Sequence, residues 1–141
     1  MVHSTNLSDE EFVAAFLECR TPVTAFDHRG NVRIAWLLLK RRPLEQAIEA
    51  ICGGIGRLVM HFGAPDKYNR TMSEALVRLM ARQIDRGGAA MTWEEFLDAN
   101  MLLLTDVPGL LARHYSPERL NSPAAKASFV PPDRLPLPAQ S

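Results

Sequence analysis

Apolar residues recur at three- and four-residue spacing along most of the chain, which is the spacing of one face of an α-helix. Three such stretches follow a Ser/Thr-x-x-Glu pattern that begins at Ser8, Thr71 or Thr92. In this pattern the hydroxyl and the glutamate each bond a free backbone amide at the start of a helix. No segment shows sustained alternation of apolar and polar residues, and no Asn-Gly or Asp-Gly turn is present. The pattern predicts an all-α protein.

Proline, glycine and capping residues set the predicted helix ends. Pro43 opens a helix that runs from about Leu44 to Phe62 and stops at Gly63, since a first-turn residue needs no amide hydrogen. Gly87-Gly88 ends the helix that Thr71 begins. An earlier helix, capped by Thr24 or Asp27, runs to residues 40–42. We therefore expect a compact bundle of about five main helices.

The C-terminal third predicts shorter structures. Ser116-Pro117 and Ser122-Pro123 each combine a cap with a first-turn proline and predict single helical turns. The last thirteen residues, FVPPDRLPLPAQS, contain too much proline for a helix. We expect residues 1–133 to form a single helical domain and residues 134–141 a flexible proline-rich tail, with Phe129 and Val130 packed against the body.

Composition narrows the function. The 141 residues are 47% apolar, and 16 basic residues balance 16 acidic ones to a net charge of zero. This balance argues against binding to nucleic acid or to an anionic membrane. The start of the chain has no signal-peptide pattern, so we expect a cytoplasmic protein. Cys19 and Cys52 are expected to be buried free thiols, with a disulfide left open.

Two polar segments are candidates for a site. AFDHRGNVRIAW, residues 25–36, places His28 and Asn31 one helical turn apart, followed by Arg33 and Trp36. GAPDKYNRT, residues 63–71, gathers donors and acceptors just before a helix N-terminus, which favours an anion. In the alternative interpretation these residues cap helices, pair with a carboxylate or fill the core.

The glycines of ICGGIGRLV need a reason inside a helix, because each costs roughly 1 kcal/mol relative to alanine. The segment lacks the Lys-Ser/Thr ending of a phosphate-binding loop. Gly53 and Gly56 share a face, which favours close approach of a neighbouring helix, with space for a ligand or a homodimer contact as alternatives. No metal-binding spacing is present, and neither a metal nor a cofactor is predicted.

The order of these motifs resembles a family of small, largely uncharacterised bacterial helical proteins. Its motifs are Phe-x-His-x-x-His-Val/Leu-Arg-x-Ala-Trp, a Gly-x-x-x-Lys-Tyr-His-x-Thr loop, a Trp-x-x-Phe helix and a Tyr-Ser/Arg-Pro-Glu-x-Leu-x-Ser-Pro segment before Phe-Val-x-Pro-Asp. The resemblance spans Phe26 to Asp133. Asn31 and Asn69 replace two family histidines, and asparagine is a poor ligand for transition metals. The resemblance implies that the separate polar segments line one cavity.

The sequence thus predicts a polar pocket within the bundle that binds a small polar or anionic metabolite, with or without acid–base catalysis. His28 and Tyr68 are the predicted catalytic residues. His28 would be the general acid or base, and Arg33 would hold a carboxylate or phosphate. The predicted substrate-binding residues are Asn31, Arg33, Trp36, Lys67, Asn69 and Thr71. The alternative is a protein–protein interaction module or homodimer without catalysis.

Overall fold

A computed structural model of the chain describes residues 8–138. Over that range the protein is helical without strands, and five helices have seven or more residues, which confirms the predicted fold class. The helices are α1 Asp9–Leu17, α2 His28–Leu39, α3 Leu44–His61, α4 Arg70–Asp85, α5 Trp93–Ala99, α6 Leu102–Thr105, α7 Val107–Ala112, α8 Pro117–Leu120 and α9 Pro123–Ala127. None of the helices described is long and apolar enough to cross a membrane.

Contacts divide the chain into two compact units, the first ending at Tyr68 and the second beginning at Asn69. In the first unit, helices α1, α2 and α3 pack on one another. Ser8 and Glu11 form the predicted capping box of α1. Asp27 rather than Thr24 caps α2 by accepting a hydrogen bond from the Gly30 amide at 2.7 Å.

The glycines of α3 show where this unit is packed most tightly. Gly54 lies directly against the buried Phe16 ring of α1, and any side chain there would overlap the ring. A methyl group at Gly53 would meet only the exposed Arg57 side chain at 3.4 Å, and Gly56 lies against the ring of Tyr68. The prediction that Gly53 and Gly56 admit a neighbouring helix is therefore wrong, because the helix contact needs Gly54.

The second unit begins with α4, and its cap differs from the prediction. Asn69 accepts a hydrogen bond from the Met72 amide at 3.0 Å and donates one to the Leu120 carbonyl at 2.8 Å. The predicted capping box at Thr71 is wrong, because Thr71 lies within the first turn and Glu74 instead pairs with Arg70 and Arg78. At the other end, Gly87 takes a positive φ of 116° and closes the helix as predicted.

Short helices follow α4. Thr92 and Glu95 form the predicted capping box of α5. Ser116 and Ser122 cap α8 and α9 and each precedes a proline in the first turn, as the sequence predicted. Each of these two caps is satisfied by an amide three residues away, so the caps themselves are set by the local sequence.

Residues 129–138 contain no helix and pack on the second unit, and we call them the C-terminal strap. Thr71 donates its hydroxyl hydrogen to the Ser128 carbonyl at 2.9 Å and accepts from the Val130 amide at 3.1 Å. The hydroxyl of Tyr115 donates to the Val130 carbonyl at 2.7 Å. Val130 and Leu137 pack on the buried cluster that contains Tyr115. The predicted packing of the first half of the tail is thus confirmed.

The strap continues beyond Asp133, where the sequence predicted flexibility. Asp133 accepts hydrogen bonds from the Ser116 amide and hydroxyl, and both bonds lower the pKa of its carboxyl group. The Arg134 and Leu135 amides donate to the carbonyls of His114 and Arg113. Residues 139–141 of the predicted flexible tail lie outside the described residues.

Candidate functional site

Two of the sequence-predicted residues of α2, Arg33 and Trp36, have partners in the first unit. His28 is exposed at the first position of the helix, and Asn31 is half-buried. Arg33 pairs with Asp9 of α1 at 2.9 Å and its guanidinium lies over the Phe12 ring. Trp36 is 2% exposed, and the Lys40 ammonium lies 4.4 Å from the centre of its ring. The guanidinium of Arg33 thus pairs with a carboxylate of the protein itself, whereas the sequence predicted that it holds a carboxylate or phosphate of a ligand.

The loop residues of the first unit contact α3. Lys67 is exposed in the single 3₁₀ turn Pro65–Lys67. Tyr68 donates its hydroxyl hydrogen to the Cys52 carbonyl at 3.0 Å, and its ring covers Gly56. Cys52 is buried and Cys19 is half-buried, and both are free thiols. The phenol of Tyr68 thus fixes the loop to α3.

Asn69 and Thr71 belong to the second unit, where one caps α4 and the other holds the C-terminal strap. Thr71 is fully buried and Asn69 is 8% exposed. Both side chains are engaged with backbone groups of distant residues. A pocket shared by the eight sequence-predicted residues stays a prediction. The structure contains a groove elsewhere, within the second unit.

A groove of about 540 Å³ opens within the second unit, a volume in the usual range for small-molecule sites. We call it the arginine groove. It is lined by Leu79, Arg82, Gln83, Arg86, Asp98, Ala99, Asn100, Met101, Leu102, Leu103, Leu110, Arg113, His114 and Pro138. These residues come from α4, from the end of α5, from α6 and α7 with the residues beside them, and from the strap.

Three guanidinium groups give the arginine groove an excess of positive charge. Arg82 lies in the last turn of α4, Arg86 directly follows that helix, and Arg113 follows α7. None of the three pairs with an acidic side chain among the residues that the structure describes. Asp98 is the one acidic residue among the groove-lining residues described. A guanidinium offers a planar set of donors that matches a carboxylate or phosphate.

Leucine and methionine side chains supply the apolar part of the same groove. Leu103 is 4% exposed, whereas Met101 and Leu102 are 50% and 46% exposed. Leu79 and Leu110 line the groove from α4 and α7. Apolar lining with a few convergent polar groups is the usual composition of a small-molecule site. The groove therefore offers donors for an anionic head and apolar surface for a hydrocarbon chain.

His114 is the buried polar residue of the groove, with 9% of its surface exposed. Its Nδ1 lies 2.9 Å from the Leu135 carbonyl oxygen of the strap. A carbonyl oxygen only accepts, so Nδ1 carries the hydrogen in this contact. In the neutral ring, Nε2 then holds a lone pair and is an acceptor.

Arg82, Arg86, Arg113 and His114 were not among the residues that the sequence predicted for a site. One signal was present: arginines recur at 78, 82 and 86, and like charges four residues apart on a helix repel one another. Arg78 pairs with Glu74, which leaves the other two for another role. No local sequence pattern indicated that the strap contributes to the groove.

Among the residues described, no three histidine, cysteine or acidic side chains cluster closely enough to hold a metal ion. No protein-family model, curated protein or solved structure matches the chain. The resemblance drawn from the sequence motifs therefore stays a prediction.

Proposed function

We propose that the protein binds a small amphipathic carboxylate in the arginine groove. The proposal keeps the ligand class that the sequence predicted, a small anionic metabolite, and moves the site to the second unit. The observation that carries it is the presence of three guanidinium groups without acidic partners around one partly apolar groove. Charge complementarity and apolar lining together favour an anion with a hydrocarbon chain over an inorganic anion.

Each part of the groove has a role in this proposal. Arg82, Arg86 and Arg113 attract the carboxylate, and one of them holds it through two parallel hydrogen bonds. The leucines bury the chain, which contributes roughly 0.8 kcal/mol for each methylene group removed from water. Pro138 is among the residues that line the groove, so the strap belongs to the binding surface.

The test compares octanoate with octanol and inorganic phosphate by isothermal titration calorimetry. We expect octanoate to bind most tightly, since octanol lacks the charge and phosphate lacks the chain. Arg113→Gln and Arg82→Gln should each weaken octanoate binding by about threefold to tenfold. This range lies between the usual contribution of an exposed ion pair and that of a charge-assisted hydrogen bond.

Arg29→Gln is the matched control, because Arg29 is an exposed arginine of α2 in the first unit. It removes the same net charge without touching the groove and should leave the affinity unchanged. Absence of octanoate binding, or an equal loss in the Arg29 and Arg113 variants, would overturn the proposal. Octyl phosphate in parallel shows whether the head group is read as a carboxylate or as any anion.

Self-association is the second candidate, and the half-exposed Met101 and Leu102 favour it. Apolar side chains at a groove edge are also a surface that a helix of a second copy covers. Sedimentation velocity over a range of protein concentrations separates the two functions. A homodimer that uses this edge should dissociate when Leu102→Ser is introduced, whereas a monomeric binding protein shows one species throughout.

A further inference from the structure

His114 adds a specific requirement to the ligand of the arginine groove. The ring is nine-tenths buried and lines the groove, and its Nδ1 is engaged by the Leu135 carbonyl. This inference rests on the proposed function, because it concerns the same ligand.

The strap holds the Leu135 carbonyl in place through backbone bonds. The Leu135 amide donates to the Arg113 carbonyl at 3.2 Å, and the Arg134 amide donates to the His114 carbonyl at 2.9 Å. The guanidinium of Arg134 also donates to the Ala112 carbonyl at 2.8 Å. Because these bonds join the strap to the same turn that carries His114, the ring and its carbonyl partner are held as a pair. The hydrogen therefore stays on Nδ1, and Nε2 stays an acceptor in the neutral ring.

The groove holds both donors and acceptors, with Asp98 and Gln83 among the acceptors. The three arginines only donate, and they match the oxygen atoms of an anion. The Asn100 amide group already donates to the Phe96 carbonyl at 3.0 Å. The His114 Nε2 adds an acceptor on the same ring, and a ligand that covers this atom without donating to it leaves the acceptor unpaired, which is unfavourable. A ligand that satisfies both kinds of group has an anionic head and a hydrogen-bond donor close to it.

We infer that the arginine groove selects hydroxy carboxylates over plain carboxylates, and that His114 accepts the hydrogen bond of the ligand hydroxyl through Nε2. His114 is then a specificity-determining residue, placed in its correct tautomer by the strap. A site that bonds a ligand hydroxyl discriminates against the analogue that lacks it, because the partner on the protein is left without a donor.

The experiment measures the affinities of 2-hydroxyoctanoate, 3-hydroxyoctanoate and octanoate for the full chain. We expect one hydroxy acid to bind about tenfold more tightly than octanoate, the usual effect of one buried hydrogen bond. His114→Asn keeps a donor near the position of Nδ1 and removes the Nε2 acceptor. In this variant the preference should disappear, because the affinity for the hydroxy acid falls toward the affinity for octanoate.

The failures of the two proposals are distinguishable. If none of the three acids binds, the proposed function fails. If they bind equally well to the unaltered chain, the carboxylate site stands and the inference about His114 is overturned. Equal preference in the chain and in His114→Asn also overturns it.

A measurement on the unaltered chain covers the case in which His114→Asn does not fold. Nitrogen-15 resonances of the ring distinguish a protonated from an unprotonated nitrogen. We expect Nδ1 to be the protonated nitrogen, and the Nε2 resonance to move when the preferred hydroxy acid is added but much less with octanoate. A ring protonated on Nε2, or an Nε2 resonance that responds equally to both ligands, contradicts the inference.

Discussion

At the scale of single residues, the neighbouring glycines of α3 have opposite roles. Gly54 lies against the buried ring of Phe16, which has no room to move, whereas Gly53 faces only the flexible end of Arg57. Gly54→Ala should therefore lower the free energy of unfolding by about 1–3 kcal/mol, the usual cost of adding a methyl group to a packed core. Urea unfolding measures the change.

Gly53→Ala is the matched control, because it makes the same chemical change one residue earlier in the same helix. Alanine favours the helix, so this variant should gain up to about 1 kcal/mol. Equal effects of the two substitutions would mean that Phe16 does not press on α3 as described.

Tyr115 provides a residue-scale prediction about pH. Burial is the main cause that raises the pKa of its phenol to about 12. The folded pKa lies above the ordinary value of 10.0. The protonated Tyr115 phenol therefore makes its full contribution to the free energy of unfolding below pH 10, and this contribution is lost as pH rises toward 12.

Ultraviolet absorbance of tyrosinate follows this ionisation directly. Tyr68 and Tyr115 are the two tyrosines of the chain, so Tyr68→Phe leaves Tyr115 as the sole signal. We expect a midpoint near pH 12, together with loss of the folded second unit. A reversible midpoint near pH 10 in a folded chain would show that the phenol is not buried against the strap.

At the scale of elements, the strap depends on the hydroxyl of Thr71, which bonds both Ser128 and Val130. Thr71→Val keeps the shape and removes both bonds, leaving the Ser128 carbonyl and the Val130 amide without this partner. We expect a loss of about 1–3 kcal/mol in the free energy of unfolding and faster hydrogen exchange at the Val130 amide. Thr105→Val is the control, because it removes only an exposed bond to the Met101 carbonyl of the preceding turn. It should have a smaller effect on both the free energy of unfolding and hydrogen exchange at the Val130 amide.

This contrast also explains which elements were predictable. The caps at Ser8, Thr92, Ser116 and Ser122 bond atoms three residues away, so the local pattern determines them. The cap of α4 was assigned to Thr71 because its local pattern fits a capping box equally well. In the structure the Thr71 hydroxyl instead bonds the Ser128 carbonyl, which lies 57 residues away. No local pattern contains that partner.

The candidate site was less predictable than the fold for the same reason. The arginine groove combines α4, the residues around α5 to α7 and the strap, so its members are dispersed over some sixty positions of the sequence. Polar residues are close together in segments such as residues 25–36, which the sequence predicted as part of a site, because such a segment begins a helix. Arg33 illustrates this, since its partners Asp9 and Phe12 belong to α1.

At the scale of the whole molecule, a net charge of zero conceals an uneven distribution. Balanced composition argues against a broad basic surface for nucleic acid, but it does not prevent three arginines from gathering around one groove. Glu10 and Glu74 have arginine partners, whereas the groove arginines have none among the described acidic residues. The positive field is thus local, which suits a small anion.

The most direct test of this account is a two-dimensional amide NMR titration of the full chain with octanoate. The account predicts that the amides that shift belong to α4 around Arg82, to residues 98–103, to residues 110–114 and to the strap. The amides around His28 and Tyr68 should stay unchanged. Shifts centred on His28 and Tyr68, or no saturable shifts at all, would contradict the placement of the site in the second unit.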